Sequence, residues 1–180
     1  SSEESVFSSI EEAGGYTARV TYLPTDLIIF YQLGSINCDS AQLNNLRREY
    51  SRYYYFNVSF SKGGRELLSA LNGNAQYGDL MNTLSFRMDR YVTLISSKMD
   101  TIQMADFALD RTYGLNVSTD VLFVFDRKRV LDGDWVEFII AEFGLGTGHM
   151  RFRFSQKSLF DAPQLHCNSM VEGANVIGVM

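Results

Sequence analysis

Three glycines alternate in "EFGLGTGHMRFRF", Glu142 to Phe154. Backbone N–H groups in such a stretch can cradle a phosphate. The dinucleotide fingerprint, however, needs G-x-G-x-x-G opening a helix. Gly144 and Gly146 fit its first two positions, but His149 stands where the third glycine belongs. A P-loop also fails, because no glycine-lysine-hydroxyl triplet closes the run. The next residues, "MRFRF", have the period of a strand. The stretch therefore reads as a hairpin loop from Gly144 to Gly148, with Phe143 opposite His149. That register sets Ile140 against Phe152 and Phe138 against Phe154 on one apolar face. Ile139 meets Arg153 and Ala141 meets Arg151 on the other, with Glu137 diagonal to Arg153. The glycines supply the positive-φ positions of the loop.

The remaining chemistry-bearing residues are sparse. His149 and His166 are the two histidines, and Cys38 and Cys167 the two cysteines. No C-x-x-C or H-x-x-x-H spacing joins them, so neither a structural metal nor a cofactor is expected. Asp132 and Asp134 flank Gly133 in "LDGDW", which lacks the rest of a calcium loop and reads as a turn. Ser59 and Lys62 have the spacing of a serine acylase pair, but Ser59 ends a strand instead of starting a helix. Asn57-Val58-Ser59 and Asn116-Val117-Ser118 match the glycosylation acceptor pattern, which recurs by chance.

Tyr53 and Tyr55 fall on the more polar face of their strand, where tyrosines can stack on a sugar or anchor a partner. With Arg151 and Arg153 they form the candidate partner-binding set. The simpler reading of the tyrosines is that a helix covers them.

Composition narrows the partners. Sixteen basic and 21 acidic residues give a net charge of -5, so nucleic acid is not an expected partner. Arg127-Lys128-Arg129 is only a local basic cluster. No apolar run approaches the about 20 residues of a membrane span. Residues 1–15, "SSEESVFSSIEEAGG", are rich in serine and glutamate and read as a flexible leader. This leader resembles the spacer behind a lipid-anchored cysteine in bacterial surface lipoproteins. It equally suits an arbitrary chain boundary. The resemblance implies an extracytoplasmic setting and an upstream lipid anchor, and carries no functional residue.

The elements that must position these residues are set by periodicity. "YTARVTY" alternates as a strand, and "LIIFYQL" reads as a second, joined to it as a hairpin. A helix begins at Asp39 or Ser40 and buries Leu43, Leu46 and Tyr50. "RYYYFNVSF" alternates with Tyr54, Phe56, Val58 and Phe60 on its buried side. "RELLSALN" is a short helix stopped by Gly73. Tyr77, Leu80, Met81, Leu84 and Met88 form one helical stripe. "YVTLIS" is a strand. In "DTIQMADFALD" Asp100 with Gln103 resembles a helix capping box, whereas the alternation of Ile102 and Met104 favours a strand paired with Tyr91 to Ser96. The stretch is read as that strand, and "VLFVF", "WVEFIIAEF" and "MRFRF" come next as strands.

The class is α+β: an antiparallel sheet of about seven or eight strands, two or three helices packed on it, and a C-terminal β-meander. Residues 16–166 form a single domain and 167–180 a tail. The lack of a catalytic constellation points to a non-enzymatic, extracytoplasmic binding or structural domain with a protein or glycan partner. A carrier of an apolar ligand in a curled sheet and a hydrolase with dispersed carboxylates are the alternatives.

Overall fold

The computed structural model describes residues 6–33, 39–110, 117–127, 133–162 and 164. The class is α+β with antiparallel sheets. The expected single sheet is divided in two. The larger sheet runs in the order β1(Ser8–Ala13), β2(Tyr16–Leu23), β3(Tyr53–Lys62), β8(Thr119–Asp126), β7(Met104–Asp110), with the short β4(Arg65–Glu66) added beside β3. The smaller runs β10(Met150–Ser155), β9(Trp135–Ile140), β5(Val92–Ser96), β6(Thr101–Ile102).

Each sheet turns an apolar face inward. Tyr54, Phe56, Val58 and Phe60 alternate on β3 as the periodicity predicts, and Val121, Phe123 and Phe125 do so on β8. From the other sheet come Leu94, Val136, Phe138, Phe152 and Phe154. Ring centroids of Phe56 and Phe138 lie 5.4 Å apart, Phe56 and Phe154 5.4 Å, and Phe123 and Phe138 5.5 Å. These tilted and edge-on contacts are the geometry that ring quadrupoles favour.

Three expectations about the sheet are corrected. Residues 8–13, placed in the leader, form β1 and pair along the whole length of β1 with β2. Gly14 and Gly15, at φ 60° and 80°, make the two-residue turn that matches strand twist. "LIIFYQL" is not the partner of β2. It lies in helix α1(Thr25–Leu33). Pro24, Thr25 and Asp26 are helix-start residues, and the amides of Leu27 and Ile28 both donate to the Pro24 carbonyl. With β1 occupying the β2 edge, the β-branched run instead packs Ile29 against Leu43 of α2(Ser40–Tyr50) in a separate small core.

The third correction is the meander. β8, β9 and β10 are successive strands, but β8 belongs to the larger sheet and β5 takes its place beside β9. The segment 101–110 is extended as expected, yet it serves both sheets. β6 pairs with β5, and beyond Gln103 the chain crosses to pair β7 with β8.

The helices cover ends and faces. Asp39 caps α2 by accepting from the Ala41 amide, and α2 brings Tyr50 within 6.2 Å of Tyr55, ring to ring, on the outer side of the larger sheet. Short α3(Leu67–Ala70) buries Leu67 and Leu68. In α4(Tyr77–Phe86) Leu80 and Leu84 are buried, Met88 lies just beyond in a 3-10 turn, and Tyr77 and Met81 pack against the same core. α5(Gln156–Phe160) closes the end beyond β10. Among the described residues no helix is long and apolar enough to cross a membrane. The tail, 167–180, lies outside the described residues.

Leu84 has no exposed surface. Leu84→Ala is expected to destabilise the protein by about 2–5 kcal/mol, read from the shift in a urea unfolding midpoint. A change under about 0.5 kcal/mol, the level of an inert surface substitution, would contradict the stripe.

Candidate functional site

The glycine stretch is a loop between antiparallel strands, and its faces are as expected. Phe138, Ile140, Phe152 and Phe154 are buried, while Arg151 and Arg153 are exposed. The register differs by two residues. Phe152 pairs with Phe138 and Arg153 lies directly opposite Glu137. A shift of two preserves both faces because the side-chain period is two.

The extra loop length has a physical cause. Glu142 folds its carboxylate into the loop, where it accepts from the amides of Gly144 at 2.7 Å, Gly146 at 2.9 Å and Gly148 at 2.8 Å. All three glycines have positive φ, at 106°, 74° and 68°. The converging N–H groups form an anion nest of the kind that cradles phosphates, and its occupant is the chain's own carboxylate. Partial burial acts to raise the Glu142 carboxyl. The amides of Gly146, Gly148, Gly144 and Leu145 outweigh it and bring the pKa down to about 2.

The four candidate partner-binding residues are not brought together. Tyr55 is buried under α2, and its burial pushes the phenol well above its ordinary pKa. Tyr53 beside it is half-buried. Arg151 and Arg153 stand on the outer face of the other sheet, each bonded to Glu137, at 3.0 and 3.1 Å. The Arg153 guanidinium carbon also lies 3.9 Å from the centroid of the Trp135 ring.

Ser59 is hydrogen-bonded to Asp120, whereas Lys62 donates to the Tyr16 hydroxyl at 3.0 Å, so the two form no acylase pair. His149 is exposed. Cys38, Asn116, Asp132, His166 and Cys167 lie outside the described residues. Among the described residues no three His, Cys, Asp or Glu side chains gather as a metal site.

Polar groups do converge in a cleft of about 330 Å³ at one end of the larger sheet. Tyr22 from β2 lies at its base. Pro24, Thr25 and Asp26 come from the start of α1, and Arg47, Arg48 and Ser51 from the end of α2. Arg127 comes directly after β8, and Leu159 and Phe160 come from α5. Three guanidiniums and one carboxylate give this lining a formal charge of +2, within a chain of -5.

The three arginines differ in their contacts. Arg47 grips Asp26 with two hydrogen bonds, Nε to Oδ1 at 2.9 Å and Nη2 to Oδ2 at 2.6 Å, tying α2 to α1. This charge-assisted bidentate pair commits the one carboxylate that the described residues bring to the cleft. Arg48 donates to Asn45 on its own helix. Arg127 sits between two rings, its guanidinium carbon 5.1 Å from the Tyr54 centroid and 4.3 Å from that of Phe160. Among the described residues no carboxylate pairs with it.

Beneath Arg127 lies a buried polar group without a partner. The Tyr54 hydroxyl and both amide atoms of Gln156 make no hydrogen bond of good geometry, although the Tyr54 hydroxyl lies near both Gln156 and Arg127. Burial raises the Tyr54 phenol, and the Arg127 charge opposes the rise. Tyr22 is likewise raised by burial, against Arg127 and with Tyr54, to about 12. It is therefore a neutral O–H group throughout the physiological range.

In the sequence Arg127 stands only in a basic cluster, and Arg47 and Arg48 carry no site signal of their own. The one visible signal was that both basic groups end an element, where a cleft between elements can collect them. No known family model, curated protein or solved structure matches the chain. The cleft is therefore read from its own geometry.

The loop yields a pH-dependent prediction. The Glu142 carboxyl is depressed in the folded state relative to its ordinary value of 4.5. Its contribution is then complete above pH 4.5 and is lost as the pH falls toward about 2. Glu142→Gln should cost about 1–2 kcal/mol at pH 7, the scale of charge-assisted hydrogen bonds. The gap between wild type and variant should close between pH 4.5 and 2. Urea midpoints measured across that range check it, and a gap that is independent of pH would contradict the nest.

Proposed function

We propose that the protein is a non-enzymatic binding domain whose ligand is a small anion held in the cleft above Tyr22. The observation that carries this reading is Arg127: a guanidinium in a concave, net-positive lining, flanked by two aromatic faces and by no carboxylate among the described residues. Rings shield the faces of a guanidinium but leave its edge N–H groups as a planar fork, the geometry that recognises anions. Tyr22, Thr25 and Ser51 add hydroxyls around it.

Other readings have less support. A carrier needs space between the sheets, and rings from both sheets meet there at 5.4–5.8 Å. A carboxylate-pair hydrolase needs two facing acids, and among the described residues the cleft holds one, already bonded to Arg47. A glycan on the Trp135 face would have to displace the Arg153 guanidinium from the ring.

Titration of the full chain with acetate and with inorganic phosphate, monitored by amide NMR shifts, tests the proposal. Saturable shifts are expected around Tyr22, Ser51, Arg127 and Phe160, with a millimolar Kd of the kind small probes give (about -4 kcal/mol). Arg127→Gln should abolish them while the protein still unfolds cooperatively in urea, with a stability loss of about 1–2 kcal/mol from the two lost ring contacts. Shifts scattered over the surface without saturation, or saturation that survives Arg127→Gln, would sink the reading.

A further inference from the structure

Two features of the cleft narrow the ligand beyond its charge. The first is the number of guanidiniums free to take an anion. Arg47 is bound through two nitrogens to Asp26 and Arg48 leans on Asn45. Arg127 has two ring faces and the nearby neutral Tyr54 hydroxyl as described side-chain neighbours, and its backbone amide donates to the Arg52 carbonyl at 3.0 Å. A single planar fork matches the two coplanar oxygens of a carboxylate. A phosphate dianion is better served by several converging donors, as in the nest that Glu142 already fills.

The second is the apolar wall. Pro24, Leu159 and Phe160 line the same cleft. Phe160 is a large apolar side chain left 42% exposed, although Leu159 next to it is 2% exposed. Arg127 covers one side of the Phe160 ring. The exposed remainder offers a flat apolar surface next to the cation. The buried Tyr54 hydroxyl lies near this guanidinium, and the Gln156 amide lies near that hydroxyl. A volume of about 330 Å³ is at the small end of ligand pockets, about 300–1,000 Å³. It suits one ring and its acid group better than a polymer.

We infer that the ligand is a small carboxylic acid with a flat apolar body, its carboxylate on the edge of Arg127 and its body on Phe160. This rests on the proposed anion site and adds the carboxylate and the apolar half. Covering the ring removes apolar surface from both partners.

The test is NMR titration of the full chain with four probes: acetate, benzoate, phenyl phosphate and benzamide. Benzoate should bind at least about tenfold more tightly than acetate, a difference of about 1.4 kcal/mol. Phenyl phosphate should bind more weakly than benzoate, and uncharged benzamide should give no saturable shift. Phe160→Ala should bring benzoate down to the acetate level, while acetate weakens only by the loss of one of the two rings beside Arg127. Phe160→Leu, which retains apolar bulk for α5 packing, should lie between. Arg127→Lys keeps the charge, loses the fork, and should weaken benzoate about tenfold.

Equal affinity for acetate and benzoate, or a benzoate preference that survives Phe160→Ala, would overturn the apolar half and leave the anion site standing. Tighter binding of phenyl phosphate than of benzoate would overturn the carboxylate assignment. Saturable benzamide binding would show that the acid group is not recognised. Failure of all four probes to bind would remove the anion site itself.

Discussion

The fold depends on two sheets burying aromatic faces against one another. Phe56 on one sheet meets Phe138 and Phe154 on the other, and Phe138 in turn meets Phe123 and Phe125. None of these five rings is more than 3% exposed. Each strand carrying them has polar or half-buried residues in between, so the alternation can be satisfied in one orientation only. Once the faces meet, the rest of the chain is constrained. The segment 101–110 must serve both sheets at the corner, and β1 runs along the far edge beside β10. The edges are short or broken: β6 has two residues, and β7 carries Asp106, Asp110 and a register shift between Met104 and Asp106. Such features discourage edge-to-edge pairing.

Because the inter-sheet space is filled with rings, polar chemistry is displaced to the ends and outer faces. There the chain treats its charges in two ways. Some are matched locally: Asp26 with Arg47, Glu137 with Arg151 and Arg153, Asp120 with Asn57, Ser59 and Ser118. These contacts hold one helix to another or one strand to the next. Their energies depend on exposure. Asp26 and Glu137 are largely buried, so removing their cations would leave unpaired carboxylates at a greater cost than a surface pair is worth.

Legibility in the sequence tracked the strength of each local signal. β2 and β3 are readable because alternation over five or more residues has few competing explanations, and β5 and β8 as short runs rich in β-branched and aromatic residues. α2 and α4 were readable from their stripes, and the cap at Asp39 helped. "LIIFYQL" reads as a strand but forms a helix because a short apolar run has no period to decide between the two, and Pro24, Thr25 and Asp26 start a helix as readily as they make a turn. β1 failed because "SSIEEA" is mostly polar, as an edge strand with one water-facing side can be. The division into two sheets was not legible at all. Which strand lies beside which is set by long-range packing of inward faces, and β5, β8 and β9 look alike locally. The cleft was hidden for the same reason: its arginines lie at positions 47, 48 and 127, and only the meeting of several helix and strand ends brings them together.

The contrast between Glu142 and Arg127 shows why the cleft, and not the glycine loop, is the functional candidate. In the loop, three amides at positive-φ glycines converge on a carboxylate six residues or fewer away in the chain, so the donors are satisfied as soon as the hairpin closes. An external anion would have to compete with a tethered one at very high effective concentration. Such a loop stabilises the hairpin and offers little to a ligand. In the cleft, Arg127 is held by ring faces, which attract a cation without saturating its N–H groups. A guanidinium held in this way loses little further freedom on meeting a carboxylate, and that preorganisation lowers the cost of binding. The loop and the cleft use the same physics of donors gathered around an anion. In the loop the anion is part of the chain, whereas in the cleft the proposed anion is a ligand, since among the described residues no carboxylate pairs with Arg127.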